Sequence, residues 1–147
     1  MKKFELTSEF NLNLFGRKFF RIKALVNIER YCVKAGDLGG WVEKEDNLSQ
    51  SGDAVVSGNA EVSGDAWVSG DADYAVIKGF GTVYRPTTFF RCHDGEERVT
   101  CGCFYGTIDE FREQVKRTRK GKVADEYLKI ADLMEYHFKK EDSGENV

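Results

Sequence analysis

The sequence predicts a mainly β protein with an α+β cap: a short hexapeptide β-solenoid follows an N-terminal β-hairpin and precedes a C-terminal hairpin with two helices. The chain repeats every six residues from 53 to 76, as DAVVSG, NAEVSG, DAWVSG and DADYAV. Alternating apolar residues precede the repeat and two helical apolar stripes follow it. A short repeat period is typical of β-solenoids, in which each unit supplies one strand and one corner. The expected regions are therefore an N-terminal cap (1–40), the solenoid (41–78) and a C-terminal module (79–147).

The N-terminal region is expected to be a hairpin that covers the first coil. Residues 18–28 (KFFRIKALVNI) alternate between two sets of side chains, as a strand with two different faces does. Residues 15–17 contain glycine and form the predicted turn. The partner strand is expected at about residues 10–14.

Alternation within the repeat assigns one set of side chains to the interior and the other to the surface. The interior set is Ala54, Val56, Gly58, Ala60, Val62, Gly64, Ala66, Val68, Gly70 and Ala72. Glycine at every sixth position permits the backbone to bend there. Counting upstream extends the pattern to about residue 41, which gives roughly two triangular coils. Because so short a stack needs covered ends, the flanking segments or another subunit should close it.

The outward side chains of the repeat predict two surfaces. Residues 41–80 contain two basic and eight acidic residues, a net charge of −6 that can attract a basic partner. The candidate contact residues on this acidic surface are Asp53, Glu61, Asp65, Asp71 and Asp73. Val55 and Trp67 occupy equivalent outward positions twelve residues apart. They predict a small apolar strip where subunits of a homo-oligomer meet.

The C-terminal region predicts a hairpin and two helices. Strand-like residues 87–92 and 98–104 flank an Asp-Gly pair, which is a strong turn signal. Thr107 and Glu110 have the spacing of a capping box at the start of the first helix. Apolar residues at helical spacing predict a second helix at about residues 124–139. Both helices are expected to pack on the hairpin.

A second candidate site combines basic and aromatic residues of this module. Arginine binds anions through its guanidinium, and aromatic rings can stack on flat ligands. The candidate residues are Tyr84, Arg85, Arg91 and Arg98, together with Phe89 and Phe90. They suggest a site for a small anionic ligand, such as a signalling nucleotide, between subunits. The alternative is that the aromatic residues belong to the core and the arginines are solvated.

No cofactor and no metal site are expected. Cys92, His93, Cys101 and Cys103 are side chains of the kind that bind zinc, but their spacing matches no recognised zinc motif. Cys101 and Cys103 share a strand face with Val99, which favours small core residues over ligands. An enzyme that uses Cys92 and His93 is also not expected, because adjacent strand residues point to opposite faces.

The composition favours a cytoplasmic protein that does not enter a membrane. The chain has no apolar run of about 18 residues and no start typical of a signal peptide. Its four cysteines are then expected to be thiols rather than disulfides.

Two stretches of the chain resemble a family of hexapeptide-repeat proteins encoded by phages and prophages. The first reads GGWV, then NLSQ, then repeats of the G-D/N-A-x-V type. The second, which contains FFRC, CGCF and GTIDEF, is similar to a C-terminal module often attached to them. The resemblance implies a β-helical protein related in outline to hexapeptide acyltransferases, usually without an assigned activity.

These observations predict a non-enzymatic, phage-encoded binding protein that blocks a host defence component, such as a nuclease, in the manner of an anti-CRISPR protein. The alternative is an oligomer that sequesters a small anionic or nucleotide signal. Acyl transfer is less favoured. Hexapeptide acyltransferases use a histidine as general base, whereas His93 and His137 both lie outside the repeat.

Overall fold

Two four-stranded sheets and two helices make up the part of the chain that the structure describes. The structure is a computed structural model. The described residues are 2–12, 16–52, 54–58, 60–64, 66–68, 73–82, 84–102 and 104–139. No helix among them is long and apolar enough to cross a membrane.

The first sheet has the strand order β1-β2-β3-β4. Its strands are β1 (Phe4–Leu12), β2 (Lys18–Ala24), β3 (Leu38–Val42) and β4 (Glu61–Val62). β1, β2 and β3 pair antiparallel, whereas β3 and β4 run parallel. The predicted pairing of two N-terminal strands is confirmed, but the first strand begins earlier than expected and the second ends at Ala24 instead of residue 28. The hairpin joins a sheet with β3, so the expectation that it covers a coil is wrong.

The second sheet is a meander in which each strand pairs antiparallel with the next. Its strands are β5 (Tyr74–Ile77), β6 (Thr87–Arg91), β7 (Glu97–Cys101) and β8 (Phe104–Thr107). The hairpin of β6 and β7 is the one that the Asp-Gly signal predicts. The sequence did not predict its outer partners, β5 and β8.

Two helices, α1 (Ile108–Thr118) and α2 (Gly121–Phe138), follow the second sheet. The capping box is confirmed: Glu110 N donates to Thr107 Oγ1 at 3.1 Å, and Thr107 N donates to Glu110 Oε1 at 2.8 Å. The predicted apolar stripe of α2 is buried at Tyr127, Ile130, Ala131, Met134 and Phe138. This stripe packs with α1 and one face of the second sheet in a shared core.

The predicted β-solenoid is wrong. The described strands between residues 41 and 78 belong to two separate sheets, and the described residues of the repeat supply only the two-residue strand β4 and part of β5. The alternation is correct for the described alanines and valines of the predicted interior set, which are buried: Ala54, Val56, Ala60, Val62, Ala66 and Val68. It fails at Gly58, which is exposed, and at Ser63, which was expected to face outward but is fully buried. Alternation fixes which side chains face inward but not which strands pair. Here the repeat backbone bonds to β3 and to the end of β6.

The second sheet lies between two cores and joins them. Phe90 and Cys92 pack with the repeat and the first sheet, whereas Phe89 and Val99 pack with the helices. An isolated antiparallel bridge between Ala66 and Cys92 connects the repeat to the second sheet. Side-chain hydrogen bonds support the same joint, including one of 3.1 Å between the buried hydroxyls of Ser63 and Thr100.

Candidate binding surfaces

An exposed aromatic pair lies at the joint between the two sheets. The rings of Trp67 and His93 stack with their centroids 5.0 Å apart and their planes 9° apart. The Trp67 amide donates to the Arg91 carbonyl at 2.9 Å, and Ala66 pairs with Cys92, which sets the two rings side by side. Trp67 keeps 43% of its surface exposed. We refer to this pair as the aromatic platform.

Three exposed carboxylates lie around His93. Its Nε2 atom is 3.5 Å from Asp46 Oδ2, and the turn that begins at His93 also carries Asp94 and Glu96. Arg98 donates to both of these, at 2.9 Å to Asp94 and 3.2 Å to Glu96. The hydrogen bond from Arg98 lowers the pKa of the Asp94 carboxyl to about 2, so this group remains ionised. The acidic rim, defined as Asp46, Asp94 and Glu96, thus has three carboxylates and one guanidinium.

Arg91, a predicted ligand-binding residue, holds separate elements together. Its guanidinium lies 3.1 Å from Asp73 and 3.2 Å from Glu97, and it donates to the Phe138 carbonyl at 3.3 Å. These contacts attach the start of β5 and the end of α2 to β6. Together with the pairing of Arg98 to the acidic rim, they commit two of the three predicted arginines to protein contacts.

The remaining residues of the predicted anion site lie in different surroundings. Tyr84 is exposed, and its backbone has a left-handed φ of +57°. Phe89 and Phe90 are fully buried, so neither ring is available to stack on a ligand. Arg85 is exposed and lines a cavity beside α1 and α2. The sequence therefore identified Arg85 as a candidate binding residue but did not predict the cavity that it lines.

The predicted acidic and apolar residues of the repeat are also dispersed. Asp53, Asp65 and Asp71 lie outside the described residues. Glu61 is partly buried, and burial raises the pKa of its carboxyl although the charge of Arg85 opposes the rise. Val55 lines a groove with Tyr74 and Val76, whereas Trp67 stacks on His93. The oligomer interface at Val55 and Trp67 stays a prediction.

The cysteines lie in ordinary protein surroundings. Cys92 is buried, and Cys101 accepts a hydrogen bond from the Thr87 hydroxyl at 3.2 Å. Cys103 lies outside the described residues. Within the described ranges, no three His, Cys, Asp or Glu side chains are grouped to hold a metal ion.

Sequence reasoning missed the platform because its two rings come from unrelated patterns. Trp67 belongs to the repeat and His93 to a turn 26 positions later. Only the pairing of Ala66 with Cys92 brings them together. Comparison with known proteins adds no further guide, because no protein-family model, curated protein or solved structure matches this chain.

Proposed function

We propose that this protein is a non-enzymatic binding protein that recognises a basic segment of a protein partner at its aromatic platform. The observation that carries the proposal is the exposed Trp67 ring, stacked on His93 and bordered by the acidic rim. Tryptophan is enriched among the residues that dominate binding energy in protein interfaces. Its ring also attracts arginine and lysine side chains through the cation–π interaction.

Charge supports a basic rather than an acidic partner. Residues 41–80 carry a net charge of −6, and Asp94 and Glu96 of the rim together with Arg98, which pairs with both, add one further negative charge. Such a surface speeds the approach of positively charged proteins and disfavours negatively charged ones. The backbone that carries Trp67 is hydrogen-bonded to the end of β6. The aromatic platform is therefore formed before the partner arrives, and binding costs little conformational entropy.

The kind of partner follows from the resemblance to phage-encoded repeat proteins. We propose a host defence component as the target, and a nuclease in particular. Nucleic-acid-binding sites are rich in lysine and arginine, because those side chains neutralise phosphates. A protein with an acidic surface around an exposed tryptophan can occupy such a site and thereby inhibit the enzyme.

Fluorescence of Trp67 tests the proposed recognition directly. Trp41→Phe leaves Trp67 as the single tryptophan of the chain, and an arginine-rich peptide titrated into this variant should change its emission. Trp67→Ala, measured by calorimetry with the same peptide, should weaken binding by about thirtyfold, which corresponds to about 2 kcal/mol at a dominant contact. Binding should also weaken as salt is added.

A glutamate-rich peptide of equal length serves as the control ligand, and Trp41→Phe serves as the control variant. Equal binding of the acidic and basic peptides would contradict the proposal. An unchanged affinity in Trp67→Ala would exclude the platform as the site.

Self-association through Trp67 is a separate prediction. If subunits meet at this side chain, Trp67→Asp should dissociate the oligomer, because a carboxylate would be buried without a partner. Light scattering at high micromolar concentration measures the mass of both proteins. A monomeric mass for the unchanged protein would refute the prediction, and an oligomer that survives Trp67→Asp would exclude Trp67 from the interface.

A further inference from the structure

A cavity of about 200 Å³ lies between α1, α2 and the second sheet, away from the aromatic platform. Residues from all three elements or their connections line it, among them Arg85, Phe104, Phe111, Gln114, Arg119 and Tyr127. Two of these side chains are cations. No aspartate or glutamate lines the cavity among the residues that the structure describes, although the whole chain carries a net charge of −3.

Both cations line the cavity together with Tyr127. Burial raises the pKa of the Tyr127 hydroxyl, and the charges of Arg119 and Arg85 both oppose that rise. Both guanidinium groups therefore contribute positive charge to the part of the wall that contains Tyr127. Glu61, whose carboxyl is influenced by the charge of Arg85, does not line the cavity.

The exposed Arg85 side chain lies beside the backbone of Gly102. Its guanidinium lies against Gly102, where an added Cβ would overlap it. Gly102 also has a left-handed φ of +60°, which glycine adopts without strain. A side chain at position 102 would therefore compete with this guanidinium for its place beside the cavity.

Aromatic rings form the apolar part of the cavity. The rings of Phe104 and Phe111 have centroids 5.7 Å apart, and those of Phe111 and Tyr127 meet edge to face at 5.8 Å. The volume is below the roughly 300–1,000 Å³ typical of sites for drug-sized ligands. A cyclic dinucleotide therefore cannot be enclosed here, whereas a single aromatic ring with one acidic group can.

We propose that this cavity binds a small aromatic carboxylate. Its carboxylate pairs with Arg85 and Arg119, and its ring lies against Phe104 and Phe111. Planar guanidinium groups match a carboxylate through paired, charge-assisted hydrogen bonds. This site is independent of the aromatic platform and keeps only Arg85 from the anion site that the sequence predicts.

Benzoate is the probe that tests the assignment, with its dissociation constant measured by ligand-detected NMR titration. Benzoate should bind at least about tenfold more tightly than benzamide, which lacks the charge, and than acetate, which lacks the ring. Arg85→Gln and Arg119→Gln should each weaken benzoate binding by about tenfold or more. Lys122→Gln, which removes an exposed charge from the first turn of α2, should leave it unchanged.

Thermal melts show whether each variant is folded. Arg119 is exposed and lies just beyond the end of α1, so Arg119→Gln should disturb the fold least. Equal affinity for benzamide and benzoate would overturn the proposal, as would unchanged benzoate binding in folded Arg119→Gln. Tighter binding of phenyl phosphate than of benzoate would overturn the choice of a carboxylate. Trp67→Ala should bind benzoate normally, which separates this site from the platform.

Discussion

Replacing Asn47 with alanine should destabilise the fold by about 3 kcal/mol. Asn47 is fully buried, and its side-chain oxygen accepts hydrogen bonds from the amides of Glu43 and Lys44 at 3.1 and 3.0 Å. Its amide nitrogen donates to the carbonyls of Gly64 and Ala66 at 3.1 and 3.0 Å. Alanine would leave three of these backbone groups without a partner, at about 1 kcal/mol each, because the Glu43 amide also donates to the Val62 carbonyl at 3.0 Å.

Urea unfolding, followed by circular dichroism, measures this loss. Asn27→Ala is the matched control, because Asn27 is exposed and accepts one backbone hydrogen bond, from Ala35 at 2.9 Å. That control should cost no more than about 1 kcal/mol. Asn47→Asp should not restore the native stability, since a carboxylate cannot donate to the two carbonyls. A loss below about 1 kcal/mol in Asn47→Ala would show that these hydrogen bonds do not hold the repeat in place.

Replacing Phe89 with alanine should cost about 3–5 kcal/mol, the usual range for a buried aromatic side chain. Phe89 has no exposed surface and meets the Phe111 ring edge to face, with the centroids 5.9 Å apart. Alanine would remove that contact and leave a cavity between β6 and α1. Phe89→Leu should cost less, because leucine fills more of the space.

Chemical denaturation compares these variants with Phe10→Ala, in which the removed ring is 43% exposed on β1. The loss in Phe10→Ala should be the smaller one, since less apolar surface leaves a buried environment. Equal losses in Phe10→Ala and Phe89→Ala would contradict the placement of Phe89 in the core between the second sheet and the helices.

Local patterns predicted the parts of the fold that local interactions determine. The capping box between Thr107 and Glu110 spans three residues, and the Asp94-Gly95 turn joins neighbouring strands. The apolar stripe of α2 follows from helical spacing within one segment. In each case the residues that form the structure are close in sequence, so their types alone were sufficient.

Strand pairing between distant segments was not predictable from the same patterns. Val62 pairs with Val42, and Ala66 pairs with Cys92, over separations of 20 and 26 residues. Alternating alanine and valine suit a stacked coil and a mixed arrangement of sheets equally well, because both bury one face of the strand. The aromatic platform depends on one of these long-range pairings. Its residues were visible in the sequence, but their adjacency was not.

The Ala66–Cys92 bridge holds the repeat against the second sheet, and the aromatic platform exists only when the two are in contact. The binding of a partner to the platform is therefore thermodynamically linked to this contact. A partner that contacts both Trp67 and His93 binds the apposed form, so a hundredfold excess over its dissociation constant stabilises that form by about 2.7 kcal/mol. The linkage is reciprocal. Loss of the buried hydrogen bond between Ser63 and Thr100 would therefore weaken partner affinity to the extent that it lowers the population of the apposed form, although neither hydroxyl belongs to the platform. The affinity of the aromatic platform for a partner therefore depends in part on buried contacts that the partner does not touch.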